Sequence, residues 1–131
     1  MEVAGAGLND GANIQQNTYN GGDYQKWDIM PDGNGFYTIK AAHSGKTAED
    51  QNFSTGDGGN VDQWGAGENS IQHWFFEYAG NGYFSIRNRY SGKYLDVAGA
   101  STADGANIWQ WSGTGGANQQ WRLQRHQDTS R

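Results

Sequence analysis

The chain of 131 residues contains no cysteine, which excludes a disulfide framework, a thiol nucleophile and any thiolate metal site. No apolar run approaches the length needed to cross a bilayer. Positive charge is sparse: nine Lys and Arg against fourteen Asp and Glu give a net charge of −5, with no basic stripe to neutralise phosphates. That balance disfavours nucleic acid and an anionic membrane surface as partners. No stretch sustains apolar residues at i, i+3, i+4 and i+7, so long helices are not expected. The Gly-x-Ser-x-Gly elbow, the P-loop and the dinucleotide fingerprint are missing. His43, His73 and His126 share no ligand spacing and the acids follow no calcium-loop pattern, so neither a metal nor a cofactor is expected. The start, Met1-Glu2-Val3-Ala4-Gly5, has neither the basic region nor the apolar core of a secretory leader. A cytosolic protein would look like this, and so would a mature domain cut from a secreted precursor.

Hydrophobic residues make up only 34% and glycine is abundant, with 21 copies, which by itself would suit a flexible chain. Six Trp, seven Tyr and five Phe argue for a folded one, because disordered segments are poor in aromatics. These large side chains recur at fixed positions. Gln25-Lys26-Trp27, Gln72-His73-Trp74 and Gln119-Gln120-Trp121 share the pattern Gln-x-Trp, and their tryptophans are 47 residues apart each time. The same shift maps Asp10-Gly11 onto Asp57-Gly58 and Asp104-Gly105. It also maps Asn13 onto Asn60 and Asn107, Ile14 onto Val61 and Ile108, and Gln16 onto Gln63 and Gln110. Three gapless copies are present, each a supersecondary unit that needs its neighbours to bury a core.

The second and third copies share a front end: Phe36-Tyr37-Thr38-Ile39 corresponds to Tyr83-Phe84-Ser85-Ile86, and Ser44-Gly45-Lys46 to Ser91-Gly92-Lys93. Met1 falls on the position of Leu95, so the first copy has no counterpart of Gly82 through Tyr94. The complete third copy reads as four short strands, at 83–88, 93–97, 107–111 and 120–123, separated by Ser-Gly, Asp-Gly and Gly-rich turns. The expected fold class is all-β, in one domain over 1–124 with repeats at 1–34, 35–81 and 82–124, followed by a polar, frayed tail over 125–131.

A Gly-Lys turn, a Leu-Asp-Val strand, an Asp-Gly turn and a closing Gln-x-Trp in copies of 47 residues resemble the ricin-type (ricin B-like) lectin domains, also known as family 13 carbohydrate-binding modules. The resemblance implies a β-trefoil of four strands per repeat, forming a six-stranded barrel capped by three hairpins, here without the first front strand. It also implies an extracellular protein with a shallow sugar pocket in each repeat. In the third repeat it puts the pocket acid on Asp96, the aromatic platform on Trp111 and a polar pair on Asn118 and Gln119. Trp109 stands where many members carry a polar residue that hydrogen-bonds the sugar, and it either widens the platform or points elsewhere. The chemistry is sound: an indole face suits the C–H face of a pyranose, while carboxylate and amide match its hydroxyls.

Mapped onto the second repeat, the weaker site has Glu49, Asp62, Trp64 and Gln72, with Ile71 where the third repeat has Asn118. The first repeat, weakest of the three, has Glu2, Gln15, Asn17 in place of the platform, Tyr24 and Gln25. Trp27, Trp74 and Trp121 are expected in the core, together with Ile14, Ile39, Val61, Ile86 and Ile108. Gln119 is expected to hold Asp96, and Asp10, Asp57 and Asp104 to shape their own turns.

The resulting expectation is a non-catalytic module that binds mono-, oligo- or polysaccharides of galactose or xylose type, with a possible attached catalytic domain. A hydrolase would need two carboxylates across a cleft, whereas Asp96 suits ligand orientation and Asp104 suits a turn. The alternative is a trefoil that docks on proteins as an interaction or inhibitor domain. The absent front strand predicts an open barrel edge, expressed as partial instability, as an oligomer joined through the first repeat, or as a boundary where a longer chain was cut.

Overall fold

The structure is a computed structural model and describes residues 1–125. The expected tail therefore falls outside the described residues except for Arg125, and so does His126. The first repeat supplies β1 (Glu2–Val3), β2 (Ile14–Gln15) and β3 (Trp27–Pro31). The second supplies β4 (Tyr37–Ala41), β5 (Thr47–Asp50), β6 (Val61–Trp64) and β7 (Trp74–Gly80). The third supplies β8 (Tyr83–Asn88), β9 (Tyr94–Val97), β10 (Ile108–Trp111) and β11 (Trp121–Arg122). Strand β8 matches its expected span, while the other three of the third repeat are shorter by a residue or two. Lys93 is taken up by a turn in which its N–H bonds the Ser91 hydroxyl, and Gln120 closes a 3₁₀ turn on the Ala117 carbonyl.

All pairings are antiparallel. Strands β3, β4, β7, β8 and β11 pair in that order and form the barrel, while β1–β2, β5–β6 and β9–β10 are the three hairpins. Among the described residues β3 pairs only with β4 and β11 only with β8, so each keeps one open edge. Pro31, which has no N–H to donate, ends β3 on that edge, where its missing hydrogen bond does no harm.

The apolar alternation of each repeat converges on one core. Ile14, Ile39, Ala48, Val61, Trp74, Ile86, Leu95, Val97 and Ile108 form it, which includes all five aliphatic residues assigned from the period. The three period-locked tryptophans divide: Trp74 is fully buried, whereas Trp27 and Trp121 pack against the core but keep part of their surface exposed. The difference follows from position, since Trp27 and Trp121 begin the two strands with open edges. Each indole still makes the same bond, donating to the carbonyl of Met1, Ala48 or Leu95 at 3.0, 3.0 and 3.2 Å. The closing strand of each repeat is thereby tied to its acid-bearing strand.

Side chains join the repeats in a cycle. Asn13, Asn60 and Asn107 form a ring in which each amide donates to the next, at 2.8 to 3.0 Å. Gln63 donates to the Gly7 and Asn9 carbonyls of the first repeat, Gln110 to Ser54 and Gly56 of the second, and Gln16 to Ser101 and Ala103 of the third. The Asp-Gly aspartates act across repeats rather than within their own turns, which corrects the expectation. Asp10 accepts from the Gly65 N–H, Asp57 from the Ser112 N–H and Asp104 from the Thr18 N–H. Lys46 and Lys93, from the Gly-Lys turns, ion-pair with Asp10 and Asp57; the Lys46 contact leads in holding Asp10 below its usual pKa, while for Asp57 the Ser112 hydroxyl leads and Lys93 adds to it.

Candidate functional site

Each repeat builds its pocket the same way. The acid sits on the first strand of a hairpin, the residue facing it sits on the second strand, and a 3₁₀ turn ending in the Gln of Gln-x-Trp folds back beside both. This geometry accounts for the motif. The last residue of the turn points its amide at the acid, and two residues later the strand has begun and its Trp faces the core.

In the third repeat all the assigned residues meet. Buried Asp96 accepts from the Trp109 indole N–H on Oδ1 at 2.8 Å, and from Asn118 and Gln119 on Oδ2 at 3.0 and 2.9 Å. Gln119 is fixed in turn by bonds to the Ser112 carbonyl and the Thr114 N–H. A carboxylate offers about four acceptor positions, so roughly one stays free on Asp96 for a ligand hydroxyl. Trp109 both holds the acid and extends the platform, because its ring stacks on Trp111 at 5.2 Å with the planes 26° apart. The two indoles lie on one face of β10 because they are two residues apart, and Gly58 of the second repeat packs beside both. Asp104 is committed to Thr18 and lies outside this group.

The first repeat brings together Glu2, Gln15 and Gln25: each Glu2 oxygen accepts one amide at 2.9 Å. Asn17 is exposed at the platform position and provides no stacking face. Tyr24 does not join the acid; its hydroxyl bonds Asn20 and its ring packs edge-on to His43.

The second repeat differs in kind. Gln72 donates to Glu49 Oε1 at 3.2 Å, and Trp64 is half exposed. The position facing Glu49 across the strand pair, which carries a donor in the other repeats, carries Asp62. Asp62 is fully buried, and neither oxygen has a well-formed hydrogen bond; the Gln51 side chain and its own N–H stabilise the carboxylate only in part. Burial first, and the hydrogen bond and charge of Glu49 second, push its carboxyl up to about 8. The adjacent Asp50 is equally buried without a well-formed hydrogen bond, and burial followed by the charge of Glu49 raises it to about 7. Asp50 occupies the place of Val3 and Val97, both core residues. Phe53, in the place of Ala6 and Ala100, stands beside this pocket, outside every motif that marks the repeat. The 47-residue shift carries the signal for both.

A family model described as ricin-type beta-trefoil lectin domain-like matches residues 1–64 and 70–131. The chain belongs to the ricin-type β-trefoil lectin-like family. No curated protein matches it. Among solved structures it resembles the designed three-fold symmetric protein ThreeFoil, at 47% identity and a TM-score of 0.92, covering 93% of this chain and 87% of that one. It also resembles 1,3Gal43A, an exo-β-1,3-galactanase from Clostridium thermocellum, at 38% identity and a TM-score of 0.91, over 93% of this chain but 26% of that one. The agglutinin of Rhizoctonia solani, 20% identical with a TM-score of 0.82 over 92% of this chain and 82% of that one, shares the fold. The β-trefoil of this family accounts for the order of the strands, three from the first repeat and four from each of the others.

Proposed function

We propose that this lectin-like domain binds carbohydrate without catalysing its cleavage, and that its principal site is the third-repeat pocket. The observation that carries this reading is the convergence of Trp109, Asn118 and Gln119 on Asp96 beside the stacked Trp109–Trp111 pair. It supplies a held acceptor and an aromatic floor side by side, which a pyranose uses and a flat protein surface does not. Galactose-type sugars, including β-1,3-linked galactan, are the ligands to test first, because a galactanase is among the similar structures at 38% identity. That likeness covers only part of the enzyme and supports a role as the targeting module of a glycan-degrading enzyme, where tethering raises local substrate concentration. The experiment is a glycan array with the parent and Trp111→Ala side by side. Parent binding to galactosides, reduced at least about tenfold by Trp111→Ala, supports the site; stacking on an aromatic is of that order. No glycan bound by the parent would refute the function, and indifference to the substitution would refute the site.

The open edges of β3 and β11, with exposed Met30 and Leu123 beside them, support pairing with a second copy. Light scattering behind size exclusion is expected to show a dimer at tens of micromolar protein. A strict monomer at all concentrations would remove this reading.

A further inference from the structure

We infer that the second-repeat pocket is a separate site for a pyranose carrying a free amine, an amino sugar in its ammonium form. This rests on the reading of the domain as sugar-binding, and it concerns a pocket whose chemistry departs from that of its two siblings. In the first and third repeats the pocket acid is satisfied on both oxygens by protein donors: Gln15 and Gln25 on Glu2, and Trp109, Asn118 and Gln119 on Asp96. In the second repeat Glu49 has one donor, Gln72, on one oxygen. The donor position opposite it is the acceptor Asp62, and the Asn118 position is Ile71. Glu49 Oε2 receives no protein hydrogen bond among the described residues, and Asp62, opposite it on the neighbouring strand, has only the partial support of the Gln51 side chain and its own N–H.

No cation compensates this concentration of acceptors. Among the described residues no Lys or Arg pairs with Glu49, Asp50 or Asp62, and the depression in front of Glu49 has none in its lining. Lys46, the basic residue of the same repeat's turn, is committed to Asp10. The depression is walled by Glu49, Asn52, Phe53, Trp64, Asn69 and Gln72, among others. It therefore has aromatic rings on two sides where the third repeat has Ala100 in place of Phe53. Phe53 is held at a φ of +55°, in the left-handed region. Ala6 and Ala100 hold the same left-handed backbone at +53° and +52°, so the loop shape is common to the three repeats and only the Phe53 side chain sets the second apart. Its ring leans edge-on against Tyr90 at 5.3 Å, which fixes it as a wall. Two aromatic side chains beside Glu49, with Asp62 buried opposite it on the neighbouring strand, make an environment that favours a cation, by the ring quadrupoles and by charge together. An ammonium brings a donor to Glu49 Oε2, which has none from the protein among the described residues, and Asn52 and Asn69 remain in the lining for the ring hydroxyls. Burial and the neighbouring Glu49 raise the Asp62 carboxyl, so that it holds a proton in the empty site, which an ammonium ligand would displace into solvent.

The test uses calorimetric titration of the Trp111→Ala protein, in which the third-repeat platform is removed. The titrants are galactosamine and glucosamine, their N-acetyl forms, and ethanolamine, at mildly acidic pH. The amino sugars are expected to bind at least about tenfold tighter than the N-acetyl forms, the ratio that one desolvated cation–aromatic contact supports. Asp62→Gln, which restores the donor of the first repeat, is expected to bring that ratio to about one, with melting temperature unchanged or raised. Phe53→Ala in the same background is expected to weaken the amino sugars alone. Equal binding of amine and N-acetyl forms, ethanolamine binding as tightly as galactosamine, or a ratio unchanged by Asp62→Gln would each overturn the proposal. Neutral galactose binding by the parent, lost in Trp111→Ala, reports the third repeat separately, so failure here stands apart from failure of the lectin reading.

Discussion

Asp50→Val is expected to raise the stability of the fold by about 2 to 4 kcal/mol at pH 8, the largest gain expected from a single substitution in this chain. The Asp50 carboxyl is fully buried where the other repeats bury valine, and neither oxygen has a well-formed hydrogen bond, the Ser54 N–H opposing the cost only in part. Its move from 3.8 to about 7, at about 1.4 kcal/mol per pH unit, sets roughly 4 kcal/mol as the ceiling of what ionised Asp50 costs. The sign follows from proton counting. Between 3.8 and about 7 the folded state keeps a proton that the unfolded state has released, so stability falls as pH rises through that window and levels off above it. Asp62, raised to about 8, adds in the same direction. Below this window the lowered carboxyls of Asp10 and Asp57 work the other way, losing their stabilising contacts as they are protonated. Denaturant melts of the parent are expected to show a maximum between about pH 4 and 5 and a decline toward pH 8. In Asp50→Val that decline becomes shallower. A parent with flat stability from pH 5 to 8, or a destabilised valine variant, would contradict the cost assigned to burying this carboxyl.

Asp96→Asn changes one atom in the best-formed pocket and is expected to cost about 2 to 3 kcal/mol of stability and at least about tenfold in sugar affinity. Three donors converge on the Asp96 carboxylate: one on Oδ1, two on Oδ2. An amide has only one oxygen. Turned to keep Asn118 and Gln119, it points an NH₂ at the Trp109 indole N–H; turned the other way, it faces two donors. The first arrangement is the cheaper, and it also replaces the remaining acceptor position by donors, so a ligand hydroxyl meets an N–H. Differential scanning calorimetry and a galactose titration measure the two effects. Unchanged binding would mean that the acid orients its neighbours without touching sugar.

The trefoil and the residues of the third pocket come from the resemblance to ricin-type lectins, whereas the 47-residue period is enough to assign the core aliphatics. The pairings of Trp109, Asn118 and Gln119 with Asp96 are only half visible in it. A repeat shows which positions matter and leaves open which atoms meet, so Trp109 reads as a departure when its N–H takes the part of Gln15 in the first repeat. The reach of Asp10, Asp57 and Asp104 into another repeat is hidden for the same reason: local turn chemistry accounts for an Asp-Gly pair well enough that nothing signals a partner 55 or more residues away. Asp50 and Phe53 are readable in principle, as a charge under a column of valines and an aromatic under a column of alanines. Tyr24, assigned to the first pocket by position, turns instead to Asn20 and His43, and Gln15 and Gln25 take the two oxygens of Glu2.

The glutamine and asparagine bonds between repeats bear on how the chain reaches this state. Gln63 and Gln110 bridge 54 to 56 residues, and Gln16 bridges 85 and 87. Extending a closed loop from the shorter span to the longer costs only about 0.4 kcal/mol in chain entropy, too little to force an order among the three closures. What matters is that none of them is local. A repeat cut out of the chain keeps its hairpin and loses every inter-repeat bond, so partial folding gains little until all three units have met. Such a high contact order places folding in the milliseconds-to-seconds range rather than the microseconds of helical domains. It also makes the transition all-or-none: the three pockets, though chemically distinct, should appear and disappear together.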